Sequence, residues 1–429
     1  MTWKTFAPLC HTAVYITPDD WERAFRQVRP DFLFCESAWA GITERPNVWR
    51  GRIFRNHSVC FEHRRELLRI LEYCRAEGIT TVFWNKEDPV YFDQKQCDFA
   101  DTAVRFDYIF TTAQECIPRY QARGHENVRL MPFGFSPQIF HPWGRTSEVN
   151  GAVYTGSWFS EHPQRCIDLD AMLTWLETQH IPLTIYDRQM RSGNVSSFPQ
   201  KQHVQIYPAV PYESLGMIYR QYAYGVNINT VKDSETMYAR RVLEMMACAL
   251  PVVSNESLGM ERRFGDKMGI LKEGHCIIPK EDSVHELVRE VFVSDTVARR
   301  LECLLKDIGF PAARKYPSLA VFCLGKQAEK LFEHIQWPVK QRIPVQDKEH
   351  LSKALAECRC DYAIILDDDS QMPDIPFWMT QFDFLPDDCG VGEGETRYEI
   401  RKAQNLLDTI WPLHAIAVPA DGTLQKYFA

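Results

Sequence analysis

The sequence predicts an α/β fold in which parallel strands alternate with helices. Short apolar runs at residues 31–35 and 80–84 have the composition and the length of buried strands. Between them, residues 61–77 repeat their apolar side chains at helical spacing, and Gly78 stands where a glycine commonly ends a helix. Strands and helices that alternate in this way form a parallel sheet with helices on both faces.

The same alternation continues along the chain and places the remaining elements in order. Further strands are predicted at residues 108–111, 128–131, 152–154, 183–186, 204–207, 224–228, 251–254, 269–271, 276–278 and 362–366. Further helices are predicted at residues 18–29, 100–105, 115–123, 165–179, 211–222, 237–249, 283–292, 295–309, 313–335 and 348–358.

Composition limits the class of protein. A chain of 429 residues is long enough for two or three domains, and 45% hydrophobic with 25% charged residues is ordinary for a soluble globular protein. The net charge of −8 argues against a protein that holds nucleic acid by its phosphates. We expect neither a transmembrane helix nor a secretory signal. The 14 cysteines include no CxxC pair, which favours buried reduced thiols and a cytoplasmic location.

The most informative stretch, residues 219–255, has the pattern strand, loop, helix, strand. Ser234 is predicted to cap the helix, and Arg240 and Arg241 lie one turn into it. Ligands of open α/β sheets bind at the carboxyl ends of strands, and a guanidinium can hold a diphosphate with two hydrogen bonds. Glu244, one turn further, has the acceptor oxygens that a ribose diol needs. A surface helix with an Arg–Glu pair explains these residues equally well.

Polar side chains also follow strands in the first third of the chain. They are Glu36 with Ser37, Asn85 with Glu87 and Asp88, and Thr111 with Thr112 and Glu115. Because parallel strands end at one rim of a sheet, we expect these side chains to face a cleft. Asp88 precedes Pro89, so a turn role explains it equally well. Core packing is the favoured interpretation of Trp39 and Trp84.

Two further strand ends carry residues suited to a ligand. Gly156 and Ser157 follow the strand at 152–154, where a small turn lets backbone amides approach a phosphate or a sugar. Asn227 and Asn229 end the strand at 224–228 and are predicted to hydrogen-bond a sugar or a base edge. Solvated loop asparagines are the alternative.

The segment MYARRVLEMMACALPVVSN resembles the donor-sugar-binding segment of glycosyltransferases of the GT-B architecture, in particular of the CgeB-like group, named after a spore-maturation protein. The runs 36–39 and 84–89 resemble the E-S-A-W and W-x-x-E-D-P runs of that group. Ala249 replaces the usual glycine of the turn before the proline. Glu235 and Glu244 are one residue further apart than the glutamate pair of many retaining members.

The resemblance implies two Rossmann-like domains that face each other across a cleft. It implies an acceptor-side domain at residues 1–142 and a nucleotide-sugar-binding domain at residues 143–338, and leaves residues 339–429 as a small α/β extension. Residues 132–142, dense in proline, glycine and aromatic side chains, resemble the crossover between the two domains.

The implied activity is transfer of a sugar from a nucleoside-diphosphate sugar, with a UDP-sugar as the leading donor and without metal or cofactor. The acceptor is a glycan, a glycolipid, a protein or modified DNA. Arg240 and Arg241 would stabilise the leaving diphosphate, Glu244 would bind the ribose, and Glu87 or Asp88 would act on the acceptor. The other predicted donor-binding residues are Gly156, Ser157, Asn227, Asn229, Ser234, Met237 and Tyr238. The predicted acceptor-side residues are Glu36, Ser37 and Trp84.

Asp367, Asp368 and Asp369 follow the strand predicted at residues 362–366, and their LDDDS context resembles the metal-binding motif of the GT-A glycosyltransferases. Carboxylates at a strand end can bind a divalent cation, which makes Asp367 and Asp369 the metal candidates. A solvated acidic turn, or a remnant of a fused second transferase, is the favoured interpretation, because the segment is too short for a complete domain of that kind.

Two other functions remain open for the whole chain. One is a two-domain nucleotide-sugar epimerase, and the other is a non-catalytic assembly or coat protein that keeps the fold. The sequence leaves the oligomeric state undetermined.

Overall fold

The computed structural model describes residues 2–190, 196–310 and 317–370, together with residues 372, 375, 379–380, 391–392 and 399–402. Within these residues the chain forms two parallel sheets and one mixed sheet, each packed against helices. The predicted α/β class with two Rossmann-like domains is therefore confirmed. Every helix of the described ranges is too short or too polar to pass through a lipid bilayer.

The first sheet contains four parallel strands in their order along the chain. They are β1 (Phe32–Glu36), β2 (Thr80–Asn85), β3 (Tyr108–Thr111) and β4 (Val128–Leu130). The helices of this part are α1 (Thr2–Phe6), α2 (Trp21–Val28), α3 (Arg65–Glu77), α4 (Phe99–Ala103) and α5 (Ile117–Gln121). Side chains of β2 alternate between two cores: Phe83 joins the core under α3 and α4, whereas Val82 and Trp84 join the core on the other face.

The second sheet contains six parallel strands. They are β5 (Val149–Gly156), β6 (Leu183–Asp187), β7 (Val204–Pro208), β8 (Tyr222–Asn227), β9 (Val252–Asn255) and β10 (Gly269–Leu271). The helices are α6 (Pro163–Thr178), α7 (Leu215–Gln221), α8 (Arg241–Ala247), α9 (Leu258–Phe264), α10 (Glu281–Ser294) and α11 (Val297–Asp307). The order across the sheet is β7, β6, β5, β8, β9, β10, so it reverses between β5 and β8. Ligands of open α/β sheets bind outside the strand ends at such a switch point.

Helix α11 connects the two sheets, because it follows the second sheet in sequence but packs on the first. Leu301 and Leu304 lie in the same buried cluster as Val82 and Trp84 of β2. The chain entering α11 is fixed by backbone hydrogen bonds from Phe135 N to Asp295 O at 3.1 Å and from Val297 N to Phe135 O at 2.9 Å. The strand ends of the two sheets are thereby held close to each other.

The third sheet is mixed, with the order β12, β11, β13, β15, β14. Its strands are β11 (Leu319–Leu324), β12 (Lys340–Val345), β13 (Tyr362–Leu366), β14 (Val391–Gly392) and β15 (Glu399–Lys402), and its helices are α12 (Lys326–His334) and α13 (Lys348–Glu357). Strands β12, β11 and β13 are parallel, whereas β15 is antiparallel to β13. The strands come from both sides of residue 338, where the sequence analysis places a domain limit.

The prediction of a helix at residues 313–335 is wrong for Leu319–Leu324, because these residues form β11 between β12 and β13. This run is apolar throughout and almost fully buried. The spacing of side chains in a short, continuous apolar run does not distinguish a buried strand from a buried helix. Here the pairing with neighbouring strands determines that the run is a strand. Residues 276–278, predicted as a strand, lie outside the strands of the described ranges.

The helix predicted at residues 237–249 is observed only as α8, which begins at Arg241. The residues before it are held by other partners: Ser234 Oγ accepts from Met237 N at 3.0 Å, and Asn229 Oδ1 accepts from Ala239 N at 2.9 Å. Side chains that take backbone N–H groups in this way compete with the helix ladder. The two arginines therefore stand at the start of a short helix rather than one turn inside a long one.

Candidate functional site

Strand β5 ends at Gly156, beside the point where the strand order reverses. A Cβ at Gly156 would lie 2.5 Å from the Tyr154 ring, so a larger residue would displace that ring. The next residue, Ser157, is fully buried, and its carbonyl accepts from Arg165 Nη1 at 2.9 Å. Ser157 Oγ has no hydrogen-bond partner among the described residues. The predicted glycine-serine turn thus lies at the switch point.

Three arginines gather around this turn. Arg165 Nη2, near the start of α6, donates to the Tyr154 hydroxyl at 2.5 Å, and the Arg241 guanidinium lies 5.1 Å from the centre of the same ring. Arg188, an exposed residue, directly follows β6; the displacement of water by the protein around it, together with the charges of Arg241 and Arg165, lowers its pKa. Arg241 Nη1 is buried and has no hydrogen-bond partner in the described part of the chain. Like charges packed this closely favour an anion between them.

Glu244 is the acidic member of this group and is 3% exposed. The Tyr212 hydroxyl donates to its Oε1 at 2.8 Å. Burial raises the pKa of Glu244, against the opposing charges of Arg240 and Arg241 and the hydrogen bond from Tyr212. Arg240 also lies over the ring of Phe133, at 4.9 Å from its centre. The structure therefore brings the predicted Arg240, Arg241 and Glu244 together at the switch point.

The two predicted asparagines belong to a buried network instead of the cleft. Asn227 is fully buried and donates from Nδ2 to Ser254 Oγ at 3.0 Å. Asn229 is 3% exposed; its backbone N donates to Asn255 Oδ1 at 2.8 Å, and its own Oδ1 accepts from Ala239 N. These contacts fix the loop before α8, so the asparagines position the arginines rather than contact a sugar or a base.

Three more residues predicted to bind the donor are occupied by packing or by the loop itself. Ser234 is buried and accepts hydrogen bonds from its own loop. Met237 packs against the core of the first sheet. Tyr238 is 5% exposed, and its ring lies 5.5 Å from that of Phe264. The loop between β8 and α8 therefore anchors to both sheets through these side chains.

Asp88 is fully buried within the first domain, contrary to the prediction that it faces the cleft. Its carboxylate accepts from Asn85 Nδ2 at 2.7 Å, Thr111 Oγ1 at 2.7 Å and the Tyr120 hydroxyl at 2.9 Å. Burial raises the pKa of Asp88 to about 7, although the hydrogen bonds from Thr111 and Tyr120 oppose the shift. A carboxyl group enclosed in this way fixes the loop after β2 and does not reach a substrate.

Glu87, the neighbour of Asp88, is only half-buried and does face the second sheet. Burial raises its pKa, opposed by the charge of Lys86 and by a hydrogen bond from Trp39. The charge of Arg188, at the end of β6, also acts on this carboxylate. Glu87, after β2, and Arg188, after β6, are therefore close enough for their charges to interact.

Glu36 lies on the same rim, at the end of β1. Lys86 Nζ is 2.7 Å from its Oε2. Burial acts to raise the pKa of Glu36, but the charge of Lys86, hydrogen bonds from Lys86 and Thr2, and the charge of Arg240 hold it below its usual value. Glu36 is thus a carboxylate that faces the arginine group from the first sheet.

The other two acceptor-side predictions, Ser37 and Trp84, are structural. Ser37 is 1% exposed, and its Oγ accepts from Lys86 N at 2.8 Å. Trp84 is also 1% exposed, and its indole N–H donates to Met131 O at 3.0 Å. Trp84 is enclosed because β2 is a central strand whose two faces are covered, and Ser37 is enclosed because it lies against the chain that leaves β2. Neither side chain can contact an acceptor in the cleft.

The acidic motif after β13 is engaged in local turns. Asp367 Oδ1 accepts from Asp369 N at 3.1 Å and from Ser370 Oγ at 2.8 Å. Asp368 Oδ1 accepts from Gln327 N at 2.7 Å, at the start of α12. Within the ranges that the structure describes, no group of three or more His, Cys, Asp or Glu side chains is arranged to hold a metal ion.

Sequence reasoning missed three residues of this region. Arg188 had a usable signal, because it directly follows a strand, the rule that selected the other polar residues. Arg165 had none, since it lies in the first turn of a predicted helix and follows no strand directly. Trp39, for which the sequence favours core packing, is 40% exposed. The role of all three depends on contacts with residues that are distant in sequence, and a local sequence pattern does not encode such contacts.

No protein-family model matches the sequence, and no curated protein matches it significantly. Solved structures do show similarity. TarM is 11% identical with a TM-score of 0.38, and the match covers 54% of this chain and 51% of TarM, about half of its length. The lipopolysaccharide outer core galactosyltransferase WaaB is 11% identical with a TM-score of 0.38, over 68% of this chain and 78% of that chain.

A third similar structure is an alpha-glucosyltransferase in complex with UDP-glucose and DNA containing an abasic site. It is 13% identical with a TM-score of 0.40, and the match covers 65% of this chain and 76% of that chain. Identities and TM-scores this low carry no argument about this chain. Its fold and its candidate site therefore rest on its own strand order and contacts.

Proposed function

We propose that this protein is a glycosyltransferase of the GT-B architecture that transfers a sugar from a nucleoside-diphosphate sugar, with UDP-sugars as the leading donors. The observation that supports the proposal most is the gathering of Arg188, Arg240 and Arg241 around Glu244 at the strand switch point, with Arg165 close to Arg188. Four guanidinium groups with one carboxylate form a site for a strongly charged anion. Membership of the CgeB-like group stays a prediction.

The diphosphate of the donor fits this excess of positive charge. Arg241 is the residue best suited to contact it, because its Nη1 is buried without a hydrogen-bond partner among the described residues. Arg188 and Arg241 already repel each other, so a diphosphate between them replaces repulsion by charge-assisted hydrogen bonds. Preorganised cations of this kind stabilise negative charge that develops on a leaving group. The same charges support a transfer that needs no metal ion.

Glu244 is proposed to bind the ribose of the donor. One of its oxygens accepts from Tyr212, which fixes the orientation of the carboxylate. The second oxygen is then the acceptor for a ribose hydroxyl. Gly156 and Ser157 are proposed to lie against the donor through their backbone, because the glycine allows close approach at the end of β5.

The transfer uses residues of both sheets. The oxygen of an acceptor hydroxyl forms a bond to the anomeric carbon, while the bond from that carbon to the phosphate oxygen breaks and its electron pair stays on the diphosphate. The hydroxyl proton passes to the Glu87 carboxylate, which faces Arg188 and is half-buried. Residues 1–142 are thus proposed to serve the acceptor and the second sheet the donor. The third sheet, to which residues on both sides of 338 contribute strands, is proposed to be accessory together with residues 339–429.

The test is calorimetric titration of the full chain with UDP, GDP, ADP and dTDP, followed by Arg241→Met. Loss of charge-assisted hydrogen bonds of about 1.5–3 kcal/mol is expected to weaken binding of the preferred nucleotide by about 10- to 100-fold. The control is Arg262→Met, which removes an exposed arginine paired with Glu235. Unchanged affinity in Arg241→Met would contradict the site.

Catalysis separates the proposal from its competitors. We expect sugar transfer that continues in excess EDTA, and an acceptor that must be supplied for rapid donor consumption. Activity abolished by EDTA and restored by a divalent cation contradicts the metal-free mechanism. Interconversion of the donor sugar without any acceptor indicates an epimerase, and no nucleotide binding at all indicates a non-catalytic protein.

A further inference from the structure

An aromatic platform lies on the rim of the first sheet, formed by Trp39 and the rings of Phe54, Tyr91 and Phe99. The Trp39 ring centre is 5.0 Å from that of Tyr91, 5.2 Å from that of Phe99 and 5.6 Å from that of Phe54. All three rings meet the indole at steep angles of 58° to 86°. Trp39 is held from several sides and still keeps 40% of its surface exposed. A large, rigid and exposed indole is suited to contact a ligand.

The platform faces the same cleft as the arginine group. Trp39 hydrogen-bonds to Glu87, on which the charge of Arg188 acts from the second sheet. Burial, together with the charges of Glu87 and, more weakly, of Glu161 in the loop between β5 and α6, raises the pKa of Tyr91. The indole is therefore adjacent to the carboxylate proposed to take the acceptor proton.

The chemistry around the indole favours a sugar ring. The C–H face of a pyranose is apolar and packs on the negative face of an aromatic ring, while its hydroxyl groups donate to carboxylates. Glu36 and Glu87 supply carboxylates at the same rim. A nucleic-acid base would also stack on an indole, but its phosphates would meet these carboxylates and a net charge of −8.

We propose that the acceptor is a carbohydrate whose pyranose ring stacks on Trp39 and whose reacting hydroxyl donates a hydrogen bond to Glu87. This rests on the proposed function, since it names the acceptor of the same transfer. Trp39 then determines which acceptors bind, whereas the arginine group determines donor affinity. The two properties are separable, because the platform belongs to the first sheet and the arginines to the second.

The test uses the full chain saturated with UDP, and methyl α- and β-glycosides of glucose, galactose, mannose and N-acetylglucosamine as probes. Saturation-transfer difference NMR reports which probe protons contact the protein. We expect at least one glycoside to receive saturation on the C–H face of its ring. Trp39→Ala is expected to weaken that glycoside about tenfold, equivalent to about 1.4 kcal/mol, with UDP affinity unchanged. Trp39→Phe keeps an aromatic ring and is expected to retain most of the binding. It also serves as a folding control, because a smaller aromatic side chain disturbs the platform less than alanine does.

The control variant is Phe61→Leu, at an exposed aromatic that contacts His63 and not the platform. Equal binding of the glycoside to the native protein, Trp39→Ala and Trp39→Phe overturns the assignment of Trp39. Binding of oligothymidylate in place of every glycoside overturns the carbohydrate class. If UDP binds and no glycoside does, the acceptor proposal fails and the transferase proposal stands. If glycosides bind and no nucleotide does, Trp39 marks a carbohydrate-binding surface, and both the transferase proposal and the acceptor role that rests on it fail.

Discussion

Replacement of Asp88 by Asn tests whether this carboxyl group is a buried structural acid. Burial raises its pKa from 3.8 to about 7. Between these two values the folded state holds a proton that the unfolded state has lost, so the contribution of Asp88 to stability falls as pH rises. Each pH unit is equivalent to about 1.4 kcal/mol, and the slope halves as the pH reaches the pKa of the folded state, so the loss between about pH 5 and about pH 7 is on the order of 2 kcal/mol.

The side-chain amide introduced by Asp88→Asn carries no titrating proton, so this substitution removes the pH dependence while keeping the size of the side chain. We expect the free energy of unfolding of the variant, measured relative to that of the native protein, to increase by about 2 kcal/mol from about pH 5 to about pH 7, so that the variant becomes relatively more stable. Urea titration followed by tryptophan fluorescence measures it, since Trp84 lies buried in the neighbouring strand. The control is Asp93→Asn, because Asp93 is exposed on the same domain.

A difference between variant and native protein that does not change with pH would refute the reasoning. It would mean that the hydrogen bonds from Asn85, Thr111 and Tyr120 keep the carboxylate ionised in spite of its burial. Asp88 would then be a buried carboxylate that stays charged in the folded state, held by these three hydrogen bonds.

Two further variants test the packing and the donor site. Leu304→Ala leaves a cavity where α11 packs on the first sheet, and it is expected to lower the free energy of unfolding by about 2–5 kcal/mol in urea titration. The control is Leu258→Ala, at an exposed leucine, which is expected to change the free energy of unfolding by less than about 1 kcal/mol. Tyr212→Phe removes the hydrogen bond to Glu244 and is expected to weaken UDP binding by about 1 kcal/mol in calorimetry. The weakening should increase as pH falls, because the pKa of Glu244, already raised by burial, loses an opposing hydrogen bond; a loss independent of pH would contradict that role.

Elements with strong local signals were predicted well. Helix α3 ends at a glycine in the left-handed region, with Gly78 at φ 70°, where the sequence analysis placed its cap. Leu319–Leu324 shows the limit, because its apolar run acquires a strand identity only from β12 and β13 beside it. The start of α8 shows the same limit of local patterns. The helix begins later than predicted because Asn229 and Ser234 accept hydrogen bonds from backbone N–H groups that precede it.

By itself, the sequence determined the α/β class and the segment that carries Arg240, Arg241 and Glu244, because strand ends and helical periodicity depend on residues that are close together in the sequence. Only the tertiary structure decided which polar residues are exposed to the cleft. Asp88 and Glu87 are adjacent and chemically alike, yet one is enclosed by Asn85, Thr111 and Tyr120 and the other faces Arg188. Burial and charge depend on neighbours that are remote in sequence, and no local pattern encodes them.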